Sequence, residues 1–327
     1  MAQTGIGWRE AISRRRFWPA ASALVSAGCS SAPETPPGPP GKSPVFVAKA
    51  PSYRADLESI LRRGIEACGL AVKGKRILLK PNLVEFDSAT CVNTNIAVLA
   101  AARSAFQALG AASVTIGEGP GHRRDTIFLA EEADYRQGLE RFENSFIDLN
   151  RDDVTFIRNV THRGGLYLPN TALAADLIVS VAKMKTHHWA GATLTMKNFF
   201  GLVPGAVYGW PKNELHHIGI AQSILALNKA FPRSFGIVDG IVGMEGNGPI
   251  QGTPKPAGVI AMGPNLPALD ATCCRIMGID PVQLEYLRMA REIGHIDQDR
   301  IEQRGESVAS VRTPFRLIEE FAHVRLA

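Results

Sequence analysis

Apolar residues along this chain come in short runs, and amphipathic stretches separate the runs. Residues 44–48, 76–79, 113–116 and 145–149, and the runs that begin at Leu177, Phe235 and Val259, are rich in Val, Ile, Leu and Phe. Most are bounded by Gly, Pro, Asn or Asp. Such runs are too short for buried helices and read as buried strands. Between them, residues 54–68 put Leu57, Ile60, Leu61 and Ile65 on one helical face. A second helix is expected over 95–109, opened by Asn93 or Thr94. A third starts near Asp125, and a late one covers 281–293. Residues 154–160 and 166–168 flank His162-Arg163-Gly164-Gly165 and read as a hairpin. The β–α alternation predicts an α/β fold, a mainly parallel mixed sheet with helices on both faces. About 280 residues are available after residue 44, enough for one large core or two lobes.

The ends of the strands carry the chemistry. The run at Leu177 leads into Lys183, Lys185, His187, His188 and Lys197, and no acid stands between Asp176 and Glu214. A solvated loop ordinarily mixes both signs of charge. A cationic cluster at the carboxyl end of a strand is where open α/β sheets hold ligands. Other strand exits carry Lys80 and Asn82, Glu118, Asp239 and Glu245. In a parallel sheet these exits share one edge, so the residues can line a common crevice for an anionic small molecule.

Individual motifs divide the roles. Gly117-Glu118-Gly119-Pro120-Gly121 can form a backbone nest for an anion, but Glu118 and Pro120 break the dinucleotide fingerprint, so NAD is not expected. Glu118 suits a metal, a hydroxyl or a salt bridge to Lys80. Lys197 precedes Phe199 and Phe200 on a helix expected to begin near His187. It reads as a base or imine-former of lowered pKa, or as an ammonium paired with Asp239. Lys185, Lys197 and Asp239 are the candidate catalytic groups. Lys80, Asn82, Glu118, Lys183 and Asn198 are the candidate substrate contacts. His187, His217 and Glu245 are the candidate ligands of a metal, which imidazoles and carboxylates suit. The loop 208–213 is a candidate lid with Trp210 as its apolar contact, and Asp270 reads as a structural carboxylate.

Several of these segments carry a resemblance. Lys80-Pro81-Asn82, Lys185-Thr186-His187, the stretch from Lys197 to Gly201, Asp239-Gly240, the stretch from Glu245 to Gly252, Ala268-Leu269-Asp270 and Met277-Gly278 resemble the family called domain of unknown function 362. The resemblance covers roughly residues 44–295 and implies a fold more than a chemistry. Some members are described as iron–sulfur-centre proteins because they carry a fused ferredoxin segment. This chain has no Cys-x-x-Cys series, so the resemblance implies no such cluster here.

The amino terminus carries a separate signal. Arg14-Arg15-Arg16 precede a stretch of about ten apolar residues, too short to span a bilayer, which needs ~20. This pattern marks twin-arginine export. Cys29 after Ser26-Ala27-Gly28 resembles a lipoprotein box, with Ser26 where Leu is usual. The expected divisions are a signal at 1–28, a Pro/Gly/Ser-rich tether at 29–43, an α/β domain at 44–297 and an extension at 298–327. Residues 1–28 hold Arg9, Arg14, Arg15 and Arg16 against Glu10, a net of +3, so the remainder carries +5 less 3, or +2. The basic balance thus belongs largely to the signal and is no argument for nucleic acid, and without the usual basic-aromatic platforms no nucleic-acid partner is expected. The pairing of Cys68, Cys91, Cys273 and Cys274 does not follow from sequence.

No Ser-His-Asp order, phosphate-binding loop or zinc-protease pattern is present. Two functions are consistent with the chain. One is an exported enzyme acting on an anionic small molecule, dependent on a metal or redox cofactor or on neither. The other is a lipid-tethered, non-catalytic binding protein for an anionic ligand or metal.

Overall fold

The computed structural model describes residues 41–121 and 125–326. The twin-arginine segment, Cys29 and the tether up to residue 40 lie outside the described residues. Among the described residues eleven strands appear in chain order: β1 (Ser43–Lys49), β2 (Arg76–Pro81), β3 (Ser113–Glu118), β4 (Phe146–Asp148), β5 (Val154–Thr161), β6 (Gly164–Pro169), β7 (Leu177–His187), β8 (Gly191–Thr193), β9 (Ser234–Asn247), β10 (Gln251–Gly263) and β11 (Ile301–Gly305). Nine form one sheet in the order β11-β1-β10-β9-β7-β2-β3-β4, with β8 paired to β7. β5 and β6 form a separate hairpin.

Strands β2, β3, β4, β7 and β9 run parallel, and β10 returns antiparallel between β9 and β1. The sheet is therefore mixed and mostly parallel, as the alternation of patterns implies. The two-lobe alternative gives way to one sheet with apolar clusters on both faces. Strand alternation assigns each side chain to one of them. Leu78, Ile178 and Val238 pack with residues of the helices Ile220–Ala230 and Leu266–Ile276. Ile77, Leu79, Val179, Val181 and Ile237 join residues of Leu57–Ala67 and Ile96–Ala108.

The helices begin where their caps are. Asp56 accepts the N–H of Ser59 at 3.1 Å, and Leu57, Ile60, Leu61 and Ile65 are buried at helical spacing. The second helix is opened by Asn95, which accepts from Ala97 at 2.9 Å, rather than by Asn93 or Thr94. Asn93 and Thr94 instead bind Val84 and Asn82 of the preceding loop.

Three expectations need correction. The strand that begins at Leu177 runs through His187, so Lys183, Lys185 and His187 lie within it rather than beyond its exit. Pairing with β9 reaches Lys185, and β8 folds back on Lys185, Thr186 and His187. The helix carrying Lys197 consequently starts at Thr195. The segment set apart from residue 298 supplies β11, which pairs with β1 along Ser43 to Val47. Its charged residues Glu302 and Arg304 are what sheet edges normally carry, and they mask the strand in the sequence.

Leu79, fully buried in β2, touches the cluster between sheet and helices. Leu79→Ala should lower unfolding free energy by about 2–5 kcal/mol, measured by urea titration. A loss under about 1 kcal/mol would contradict the packing.

Candidate functional site

At the carboxyl edge of the sheet lies a cavity of about 810 Å³, lined by residues that include Lys80, Glu118, Lys185, Lys197 and Lys212. Asn82, His187 and Asn198 also line it. Its volume lies in the ordinary range for small-molecule sites.

The floor is a hydrogen-bonded hub. Lys80 Nζ donates to Pro81 O at 2.9 Å, to Asn198 Oδ1 at 3.0 Å and to Glu118 Oε2. Asn198 Nδ2 donates in turn to Lys80 O at 3.0 Å and Ser180 Oγ at 3.1 Å. The ends of β2 and β3, the interior of β7 and one short helix are tied at this point. Asp270, from the helix Leu266–Ile276, accepts the N–H groups of Thr195 at 2.9 Å and Met196 at 3.1 Å. It satisfies the start of the helix Thr195–Asn198 and so fixes Lys197 and Asn198. Gly201 closes the hub: a Cβ there would collide with Glu118 Oε1 and Lys80 Nζ.

Charge in the cavity is unbalanced. Glu118 is committed to Lys80. Glu85, the other carboxylate on the wall, accepts the N–H of Phe86 at 2.9 Å. Lys185 Nζ rests on Val92 O at 2.9 Å and Pro249 O at 3.4 Å. Lys212 Nζ rests on Gly119 O and Phe200 O. Lys197 Nζ has no hydrogen-bond acceptor among the described residues and sits 4.1 Å from the centroid of the Phe200 ring. Burial, with Lys183 and Lys197 nearby, pulls the Lys185 pKa down to about 7. Burial likewise brings Lys212 to about 7 despite Glu118, with Lys80 adding to the fall. Burial and Lys80 bring Lys197 to about 8.

His187 Nδ1 accepts the N–H groups of Trp189 at 2.9 Å and Ala190 at 3.2 Å. Protonation of Nδ1 would break both contacts. Burial, with Lys197, His188 and Lys185 close by, also holds this imidazole well below its ordinary pKa. The neutral ring therefore carries its proton on Nε2. His188 and His216 line the cavity as well, with Trp189 edge-on to both.

The structure gathers Lys80, Asn82, Glu118, Lys185, His187, Lys197 and Asn198 around this cavity. It does not gather Lys183, Asp239, Glu245 or His217. Lys183 and Asp239 are register partners on β7 and β9 and bond at 2.8 Å. Tyr53 Oη donates to Asp239 at 3.1 Å and accepts from Lys183 at 2.9 Å. Asn95 and Ile241 N–H groups complete the carboxylate. Alternation puts this pair on the sheet face opposite Lys80, as a satisfied structural network. Glu245 is paired with Lys255 and the N–H of Arg316. Along the helix Asn213–Ile218 it is His216 that lines the cavity, and the His217 carbonyl accepts from Arg163. The three proposed metal ligands thus do not converge. Among the described residues no group of three or more His, Cys, Asp and Glu is disposed to hold a metal.

Sequence reasoning missed Lys212 and Thr193, and of the histidines at 216 and 217 it chose His217 where His216 lines the cavity. Lys212 falls in the loop read as a lid, but Trp210 packs on Gly205 while Pro211 and Lys212 face the cavity. Lys212 has φ 65°, a left-handed conformation that no pattern announces. The four described cysteines are free.

Comparison with known proteins adds the following. Residues 77–275 match the family described as "Domain of unknown function (DUF362)". A thylakoid-associated protein of Synechocystis is 28% identical over 262 residues, covering 76% of this chain and 79% of that protein. The lactate racemase apoprotein of Thermoanaerobacterium thermosaccharolyticum aligns with TM-score 0.45 and 16% identity over 72% of this chain and 57% of its own length. A Thermotoga maritima protein aligns with TM-score 0.37 and 15% identity, over 66% of this chain and 57% of that one.

The lowered lysine pKa values have a consequence for stability. In the unfolded chain lysine titrates near 10.4, while Lys185 and Lys212 titrate at about 7 and Lys197 at about 8 in the fold. Between those values the unfolded state holds more protons, so stability rises with pH. Asp270, pushed up to about 7 by burial, acts in the opposite sense mainly below that pH. The unfolding free energy should climb from pH 7 to 8.5, each lysine adding up to about 1.4 kcal/mol per pH unit. Lys185→Met should reduce that slope. A flat profile from urea titrations at several pH values would contradict the charge imbalance.

Proposed function

This chain belongs to the domain of unknown function 362 family, and on that premise we propose that it is an exported enzyme acting on a small organic anion. The observation that carries this reading is the cavity wall, where Lys80, Lys185, Lys197 and Lys212 stand with two carboxylates among the described residues, one of them already committed to Lys80. Buried lysines without counter-ions are costly as ammonium groups. A ligand anion supplies the missing charge. In this reading Lys185 and the His187 Nε2–H hold the anionic group, and Lys197 acts on the reacting atoms. A purely binding role would leave Lys197 as one more charge, which does not require an amine kept clear of every acceptor among the described residues. The cavity, at about 810 Å³, admits an organic cofactor beside a small substrate. Export through the Arg14-Arg15 signal, and a lipid on Cys29 tethering the protein to the membrane, complete the proposal.

Titration calorimetry against a panel of carboxylates and phosphates tests the charge class. An anion entering the cavity raises the lysine pKa values, so binding near pH 8 should take up protons, seen as a heat that depends on buffer ionisation enthalpy. Lys185→Ala and His187→Ala each remove a charged or strong donor, worth about 1.5–3 kcal/mol, and should weaken binding roughly 10- to 100-fold in a protein that remains folded. Absence of any anion binding would overturn the reading.

Fractionation of cells tests location. The wild type should accompany the membrane and Cys29→Ala should be released from it. A wild type confined to the cytosol refutes export.

A further inference from the structure

The surroundings of the four cavity lysines separate them by task. Lys80 directs its three N–H groups at Glu118, Asn198 and Pro81. Lys185 and Lys212 are each tied back to two backbone carbonyls. Lys197 alone of the four has no acceptor among the described residues, and its contact is the face of Phe200. An amine that attacks carbon must present its lone pair to the cavity, unclaimed by the protein. It must also be unprotonated part of the time. With its pKa brought to about 8 by burial and by Lys80, Lys197 is a free amine in roughly a tenth of molecules at pH 7.

Other features narrow the ligand. Two buried polar atoms on the wall, Thr193 Oγ1 and Asn82 Oδ1, have no partner among the described residues. Thr193 is 4% exposed and Asn82 6%. Such atoms are costly unless a ligand or water meets them. The wall also carries apolar side chains, among them Leu83, Val84, Leu215, Ile220 and Ile250. We propose that Lys197 forms an imine with a 2-oxo acid that bears an apolar side chain. This rests on the reading of the cavity as an organic-anion site and names the substrate class.

In a 2-oxo acid the carboxylate is bonded to the carbonyl carbon, so one small cluster serves both groups. The Lys185 ammonium, the His187 Nε2–H and the Thr193 hydroxyl are the donors available to the carboxylate. The Lys197 nitrogen adds to the carbonyl carbon, a C–N bond forms, and the carbonyl oxygen takes a proton to give a carbinolamine. Asn82 Oδ1 is an acceptor for that hydroxyl. Loss of water then breaks the C–O bond, forms C=N and needs no oxidant or reductant. The protonated imine is a cation and keeps the favourable position over the Phe200 ring.

Reductive trapping tests this. The full-length protein is incubated with phenylpyruvate and sodium cyanoborohydride, which reduces an imine to a stable secondary amine, and peptides are mapped by mass spectrometry. The expected result is Lys197 as the major modified site. Phenyllactate, which lacks the carbonyl, should slow the trapping by competition. Lys197→Arg should lose the adduct while still binding phenyllactate by calorimetry. If phenyllactate binds but no adduct forms, or adducts fall only on surface lysines, the imine is overturned and the anion site stands. If neither compound binds, the anion reading fails for this class and the imine with it.

Discussion

The Lys80 ammonium, buried at the end of β2, is the point on which the site depends. An ammonium in a low-dielectric interior costs several kcal/mol unless its donors are met. Burial pushes Lys80 toward the neutral amine and Glu118 toward the neutral acid, against their mutual attraction. The fold answers with three acceptors around Nζ. Meeting that demand brings β2, β3 and the helix Thr195–Asn198 together. It also requires glycine at 201, since any side chain there would occupy the space of the ion pair. Asn198, whose amide serves Lys80 on one side and Ser180 on the other, makes the arrangement rigid.

What the hub satisfies for Lys80 it withholds from its neighbours. Glu118 is spent, and Lys185, Lys197 and Lys212 stand in the same cavity with carbonyls or an aromatic face as partners. A core selected for stability alone would replace them with apolar side chains. Sites of this kind break the rule that buried charges are paired, and they do so where function sits. The same electrostatic stress that lowers the lysine pKa values is relieved by an anion, so affinity and protonation are one coupled quantity.

Much of this was legible in the sequence. Short β-branched runs alternating with amphipathic stretches specify a mostly parallel sheet, and strand exits in such a sheet share an edge. That reasoning reaches Lys80, Asn82, Glu118, Lys185, His187, Lys197 and Asn198. It overreaches at Lys183 and Asp239 because a list of strand exits ignores which charges satisfy one another. Register pairs them with each other, and Tyr53 with the N–H groups of Asn95 and Ile241 completes their network. Lys212 and Thr193 were illegible for another reason. Their positions depend on a loop conformation and on the short return strand β8, and neither has a periodic signature. β11 was hidden by the charges that protect an edge.

Lys183 and Lys197 show how the same side chain is assigned opposite work. Both lie near the carboxyl edge of one sheet. Burial pulls the Lys183 pKa down, but Asp239 and Tyr53, each within hydrogen-bond distance, outweigh it and hold the group above its ordinary value. It is a permanent cation, joined to a carboxylate whose remaining contacts are backbone N–H groups and a phenol. Lys197, only partly exposed, has no carboxylate bonded to it among the described residues and has Lys80 as its charged neighbour, so its pKa falls. Counter-charge therefore separates the two. The lysine whose charge is balanced holds strands together. The lysine left unbalanced in a cavity is the one whose protonation a ligand can change, and that makes it the group through which chemistry at this edge of the sheet can run.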